Sequence, residues 1–299
     1  GKIFEGSVVI VDELIDEILE ADALPSGVCD EIIDAQGHYL IPGVIDDHVH
    51  FRDPGLTHKA DMHTESIAAV TGGVTSYMDM PNTNPQTTTI EALNNKFADA
   101  AQKSVANYSF YFGATNNNEG VLAHLDKKRV CGIKLFMGSS TGNMLVDRMD
   151  SLKYIFAHAG MLIATHCEAQ DIINENIAIY KGKYDEDLDI KYHPLIRDER
   201  ACYESSALAV KLAKETGARL HIMHISTSKE LELLEDKPLT EKKITAEVCV
   251  SHLYFCDKDY EHLGARIKCN PAIKSEADRN ALRKATGTHL IDVIGTDHA

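Results

Sequence analysis

From Gly43 to the end of the chain, short apolar runs alternate with longer segments of helical period. Eight strand-like runs can be marked: GVIDDHVH, VTSYMDM, NYSFYFGAT, CGIKLF, MLIATH, RLHIMHI, ITAEV and LIDVIGTD. Between them lie helix-like segments such as HTESIAAVTGG, IEALNNKFADAAQ, DSLKYIFAHAG, YESSALAVKLAKETG and ALRKATG, several ending on the glycine that a helix C-terminus favours. Eight βα units in this order predict an α/β fold, a (β/α)8 TIM-type barrel over residues 43–299. A doubly wound open sheet shares the alternation, and periodicity does not separate the two. The first 42 residues carry no strong helical period; SVVIVD, CDEIIDAQG and HYLIPG read as short strands of a small β-rich, sandwich-like flank. The chain stops at IGTDHA, just after the eighth run and with no final helix, so both ends read as incomplete. The charged stretch YKGKYDEDLDIKYHPLIRDER, residues 180–200, reads as an inserted loop.

Composition narrows the function classes. Of 299 residues, 44% are hydrophobic and 25% charged, which suits a globular chain with a large core. The net charge of −16 disfavours a nucleic-acid partner, which needs clustered Lys and Arg. No apolar run reaches the ~20 residues of a membrane span, so no membrane partner is expected. Seven cysteines are scattered without a CxxC pair, which fits reduced thiols and predicts a cytoplasmic protein.

The polar residues in the apolar runs carry the chemistry. In IDDHVHFRDPG, His48 and His50 are two apart, so in a strand both face one side. A pair of that spacing is also what a hydrogen-bonded rim gives. Lys134 sits inside the fourth run, where a buried cation is costly. His166 ends the fifth run, His224 the sixth and Asp297 the eighth. Barrel enzymes draw their reactive groups from the C-terminal ends of several strands, and these residues all fall there. Imidazoles and a carboxylate suit zinc. Two ions need a bridging anion, which a lysine becomes once carbon dioxide adds to its neutral amine as a carbamate; burial favours that amine.

With HxH in the first run, Lys in the fourth, His in the fifth and sixth, and Asp in the eighth, the chain resembles the amidohydrolase superfamily and, within it, the dihydroorotases. DHVHFRDPG, DMPNTNP, IKLF and GTDHA resemble the signatures of that family, and the resemblance covers nearly all of residues 38–299. It implies two Zn2+ per chain on His48, His50, carboxylated Lys134, His166, His224 and Asp297. It implies Asp297 as the catalytic base and acid, and Arg52, Asn82 and Asn270 as substrate-binding residues. A guanidinium at Arg52 suits a bidentate grip on a carboxylate; hydantoinases and allantoinases resemble the chain in their metal ligands but lack arginine there. A family histidine four residues beyond the aspartate falls past Ala299. The implied reaction is the reversible cyclisation of N-carbamoyl-L-aspartate to L-dihydroorotate in pyrimidine biosynthesis, with a small-molecule substrate; a homodimer is compatible with it. MGSSTGN, residues 137–143, reads as an active-site loop.

Overall fold

The computed structural model describes residues 2–138, 144–184 and 187–299. The chain divides into two compact units, Gly1–Pro42 and Gly43–Ala299. In the first, β1 (Gly6–Val11) and β2 (Leu14–Glu20) form an antiparallel hairpin. Its tight turn places Asp12 at φ 55°, a left-handed conformation that Asp tolerates better than most residues. SVVIVD is therefore a strand, but CDEIIDAQG and HYLIPG are not, and LIDEILE, missing from the expectation, is. A strand exists only where a neighbouring edge supplies hydrogen bonds; β1 and β2 supply each other, and residues 22–43 pair with no strand.

The second unit carries β3 (Val44–Val49), β4 (Val74–Asp79), β5 (Asn107–Gly113), β6 (Val130–Phe136), β7 (Ile163–His166), β8 (Leu220–Ile222), β9 (Ile244–Cys249) and β10 (Val293–Gly295). Each of the eight expected runs supplies one of them. They form one parallel sheet in sequential order. The first and last meet: Val49 bridges His298, the His50 amide donates to the His298 carbonyl at 2.7 Å, and Thr296 Oγ1 donates to Asp46 Oδ2 at 2.6 Å. A doubly wound sheet reverses its strand order at a switch point, so sequential order with closure decides for the barrel.

Helices α1 (Met62–Thr71), α2 (Ile90–Lys103), α3 (Glu119–Leu122), α4 (Met149–His158), α5 (Gln170–Lys183), α6 (His193–Ile196), α7 (Glu199–Thr216), α8 (Val250–Tyr254), α9 (Tyr260–Leu263) and α10 (Glu276–Ala285) lie between the strands, at least one in each connection except β8–β9, where the described residues form only 3-10 turns. Local chemistry starts and stops them. Asp61, Thr89, Asp198 and Ser275 accept first-turn amide protons at the starts of α1, α2, α7 and α10, and Gly217 ends α7 at φ 73°. The stretch 180–200 is not the single loop expected. Lys183 still belongs to α5, a 3-10 turn spans Ile190–Tyr192, and α6 follows before Asp198 caps α7. Its charges are spread over these short elements, whose polarity alone does not distinguish them from a loop. Of MGSSTGN, residues 139–143 lie outside the described residues. All seven cysteines are free, and no helix among the described residues is long and apolar enough to cross a membrane.

Alternation sorts the strand side chains. Phe110, Phe112, Ile133, Leu135, Leu220, Ile222, Ala246 and Val248 join the large core under the helices. Their neighbours Tyr111, Lys134, His221, Met223 and Glu247 point the other way, into the barrel, and are also buried.

Candidate metal centre

Each proposed ligand stands at the same rim because parallel strands all end on the same side. His48 lies in β3 and His50 just beyond it, Lys134 lies in β6, His166 closes β7, His224 is two residues past β8, and Asp297 is two residues past β10. The backbone there is strained: Arg52, His224 and Asp297 hold φ of 63°, 39° and 52°. Non-glycine residues pay roughly 1–3 kcal/mol for such a conformation, and they concentrate at functional sites. In each case the left-handed turn comes where the chain leaves its strand.

The hydrogen bonds determine which ring nitrogen is free. His48 Nδ1 lies 2.9 Å from Glu247 Oε1, His50 Nδ1 2.9 Å from Asn82 Oδ1, and His166 Nε2 3.0 Å from Glu168 Oε2. Carboxylate and amide oxygens only accept, so each of these nitrogens carries the proton and the other nitrogen of each ring presents a lone pair. Those lone pairs converge. His48 Nε2 and His50 Nε2 lie 3.1 and 3.2 Å from the same oxygen, Asp297 Oδ1. His166 Nδ1 lies 2.9 Å from His224 Nε2, while His224 Nδ1 is buried with no partner. The three acceptors of His48, His50 and Asp297 call for a cation or a proton among them, whereas between His166 and His224 the Nε2 of His224 can supply the proton. His48, His50 and Asp297 form a group whose ligand atoms are mutually within 4.8 Å. The His48, His50 and Asp297 set therefore fits a metal ion, and the facing nitrogens of His166 and His224 stand beside it.

Electrostatics follow the same geometry. Burial opposes charge on His48, but Glu247 and Asp297 outweigh it and raise its pKa to about 10, so a proton takes the cation's place there when no metal is bound. Burial also opposes ionisation of Glu247, yet His48 pulls it down to about 2. Asp297 likewise is held well below the usual carboxylate range by His48 and His50 despite its burial. Burial lowers His50 to about 4, and it lowers His166 and, further still, His224, leaving neutral rings able to ligate. Lys134 is 1% exposed, has no carboxylate partner among the described residues, and lies 2.8 Å from Met223 Sδ. Burial brings its pKa down to about 8, and its charge bears on His166 and His224.

Of the residues expected at the substrate, Asn82 is buried and committed through Oδ1 to His50. Arg52 is half-buried, feels Asp297 and Asp79, and forms no ion pair among the described residues; its Nε is buried without a partner. Asn270 is exposed and makes no hydrogen bond to these residues. Two functional carboxylates escaped the sequence reading. Glu247 is fully buried on β9, where it also accepts from the His224 amide at 2.9 Å and lies 3.2 Å from Cys249 Sγ. Glu168, equally buried, bonds His166 and Arg197. A glutamate in the apolar run ITAEV was the available signal, since a carboxylate is almost never buried unpaired.

Comparisons with known proteins give the family. The family described as dihydro-orotase-like matches residues 37–230. A dihydroorotase of Carboxydothermus hydrogenoformans is 33% identical over 307 residues, covering 99% of this chain and 68% of that protein. An allantoinase of Deinococcus radiodurans is 30% identical, covering 97% of this chain and 64% of its own. An L-hydantoinase (dihydropyrimidinase) structure from Arthrobacter aurescens superposes with a TM-score of 0.90 at 27% identity, over 98% of this chain and 65% of that one. The chain thus spans about two thirds of the length of these relatives. Its sequence match and its ring of strand-end ligands lead to one conclusion: the chain belongs to the dihydro-orotase-like family of cyclic amidohydrolases, within the amidohydrolase superfamily.

Proposed function

We propose that the protein is a dihydroorotase, interconverting N-carbamoyl-L-aspartate and L-dihydroorotate on a binuclear zinc centre. The observation that carries this choice among cyclic amidohydrolases is Arg52. A guanidinium beside the ligand cluster, with a buried, unpartnered Nε and no acidic partner among the described residues, calls for an anion from outside. Both proposed substrates bring a carboxylate that takes no part in the reaction, whereas hydantoins and allantoin bring none.

The zinc ions would be held by His48, His50, His166, His224 and Asp297, with Lys134 as a bridging carbamate. Bound there, they would polarise the scissile carbonyl and lower the pKa of water. The chain's own groups supply the rest. Asp297, held ionised, takes the proton of the attacking water and returns it to the departing ring nitrogen; in the synthetic direction it removes the proton of the ureido nitrogen. Arg52 grips the substrate carboxylate at the rim, Asn82 keeps an amide N–H free while its oxygen orients His50, and Asn270, exposed in the β9–β10 connection, would add a substrate contact.

The test is hydrolysis of dihydroorotate set against allantoin and dihydrouracil, for the parent and Arg52→Ala. Dihydroorotate should be the preferred substrate. The variant should raise its KM by a factor worth roughly 1.5–3 kcal/mol, as for a hydrogen bond to a charged group, with little change on any uncharged ring. Preference for a neutral ring, untouched by the substitution, would instead establish the allantoinase or hydantoinase activity that the relatives' names carry.

A further inference from the structure

Within the charged stretch, Arg197 follows α6 directly, and its side chain turns inward. It is 12% exposed and pairs with Glu168, which is 0% exposed. The same oxygen, Glu168 Oε2, lies 3.0 Å from His166 Nε2, and Glu168 Oε1 is buried without a partner. A relay therefore runs from the α6–α7 junction to the ring at the end of β7, and it touches neither the substrate residues nor the His48–His50 pair.

The geometry points to Glu168 and Arg197 as positioning residues that set the tautomer of His166 and so make one of the two metal clusters. This inference rests on the metal-centre reading above. A carboxylate flanked by a guanidinium can only accept, so the imidazole proton stays on Nε2. The lone pair of Nδ1 is then directed at His224 Nε2, 2.9 Å away. If the group at position 168 donated instead, the proton would move to Nδ1 and a N–H would stand between the two rings where a metal ion belongs. His224 Nδ1 has no partner, so the tautomer of that ring is fixed only through its contact with His166. The His48–His50–Asp297 cluster has separate supports, Glu247 and Asn82, and is not affected.

Glu168→Gln tests this at constant shape. One oxygen, Glu168 Oε2, serves both Arg197 and His166, so the amide oxygen takes that place without the carboxylate charge, and the hold on the His166 proton weakens without a change of packing. Zinc affinity is read by chelator competition, and the ligand field by the visible spectrum of the Co2+-substituted protein. One of the two ions should bind about 10- to 100-fold more weakly with a changed Co2+ band, while the other keeps the parental affinity. Arg197→Met should act in the same direction and Arg197→Lys should largely restore binding; these two decide the matter if Glu168→Gln does not fold. Parental affinity for both ions and an unchanged Co2+ spectrum in Glu168→Gln and Arg197→Met would overturn the proposal. His166→Ala, run alongside, separates the two levels. If it loses one ion while Glu168→Gln keeps both, the positioning role alone fails; if it too keeps both, the metal-centre reading fails first.

Discussion

His48 and His50 differ chiefly in what holds their second nitrogen. His48 leans on a buried carboxylate and His50 on a neutral amide. Either substitution to alanine should deplete metal and nearly abolish activity, as measured by elemental analysis and turnover, but the cost to folding should differ. His48→Ala leaves Glu247 buried without its imidazole, and breaking a buried pair from one side costs about 3–5 kcal/mol. His50→Ala leaves Asn82 short of one neutral hydrogen bond, about 1 kcal/mol. Urea denaturation of the chelated variants should separate them in that order; equal midpoints would mean Glu247 does not depend on His48. Lys134 makes a second prediction at this scale. Lys134→Ala should lose metal and activity, and a short carboxylic acid in the buffer should restore part of the rate by standing in for the carbamate. A Lys134 amine that remains unmodified in a fully loaded two-zinc protein, as read by mass spectrometry under native conditions, would rule out its bridging role.

At the scale of the element, the strand ends matter more than the strands. β10 ends in Gly295, and the reason for a glycine there lies on the neighbouring strand β9. A Cβ at Gly295 would stand 2.9 Å from Glu247 Oε2 and 3.1 Å from Asp47 Oδ1. Glu247 has little freedom to yield, because its other oxygen serves both His48 and the His224 amide. Gly295→Ala should therefore cost about 1–3 kcal/mol of stability, the usual range for overpacking. It should weaken metal binding as well, since Glu247 moves with its imidazole. A variant with parental unfolding midpoint and zinc affinity would show that β9 and β10 have more room between them than the geometry allows. The loss of CDEIIDAQG and HYLIPG as strands belongs to this scale too: their composition suits extended chain, but neither has a pairing edge among the described residues.

For the molecule as a whole, the ligand cluster ties stability to pH. The folded pKa of His48 is raised to about 10, so its pairing stabilises the metal-free fold fully below pH 6.5 and is lost as pH climbs towards 10. Glu247, lowered to about 2, describes the acid side of the same pair: its contribution is present above pH 4.5 and lost as pH falls towards 2. Chelated protein should thus melt highest between about pH 4.5 and 6.5 as far as this pair is concerned, and zinc affinity should rise with pH above 6.5 because the ion displaces a proton. A melting temperature of the chelated protein that holds flat from pH 6.5 to 10, in parent and His48→Ala alike, would refute the linkage. The sequence by itself determined the eight strands, most of the helices between them and six of the groups at the rim. Strand and helix periods are local, and in a parallel barrel every strand end faces the same side, so His48, His50, Lys134, His166, His224 and Asp297 needed only their place in a run. Closure of the ring, the hairpin partner of β1 and the carboxylates that choose each imidazole's free nitrogen were decided by the tertiary structure alone. Glu247 meets His48 across 199 residues of chain, and Arg197 reaches His166 only through Glu168. Such contacts are made by the folding of distant strands against one another, and no local pattern of residues encodes which acceptor will face which ring.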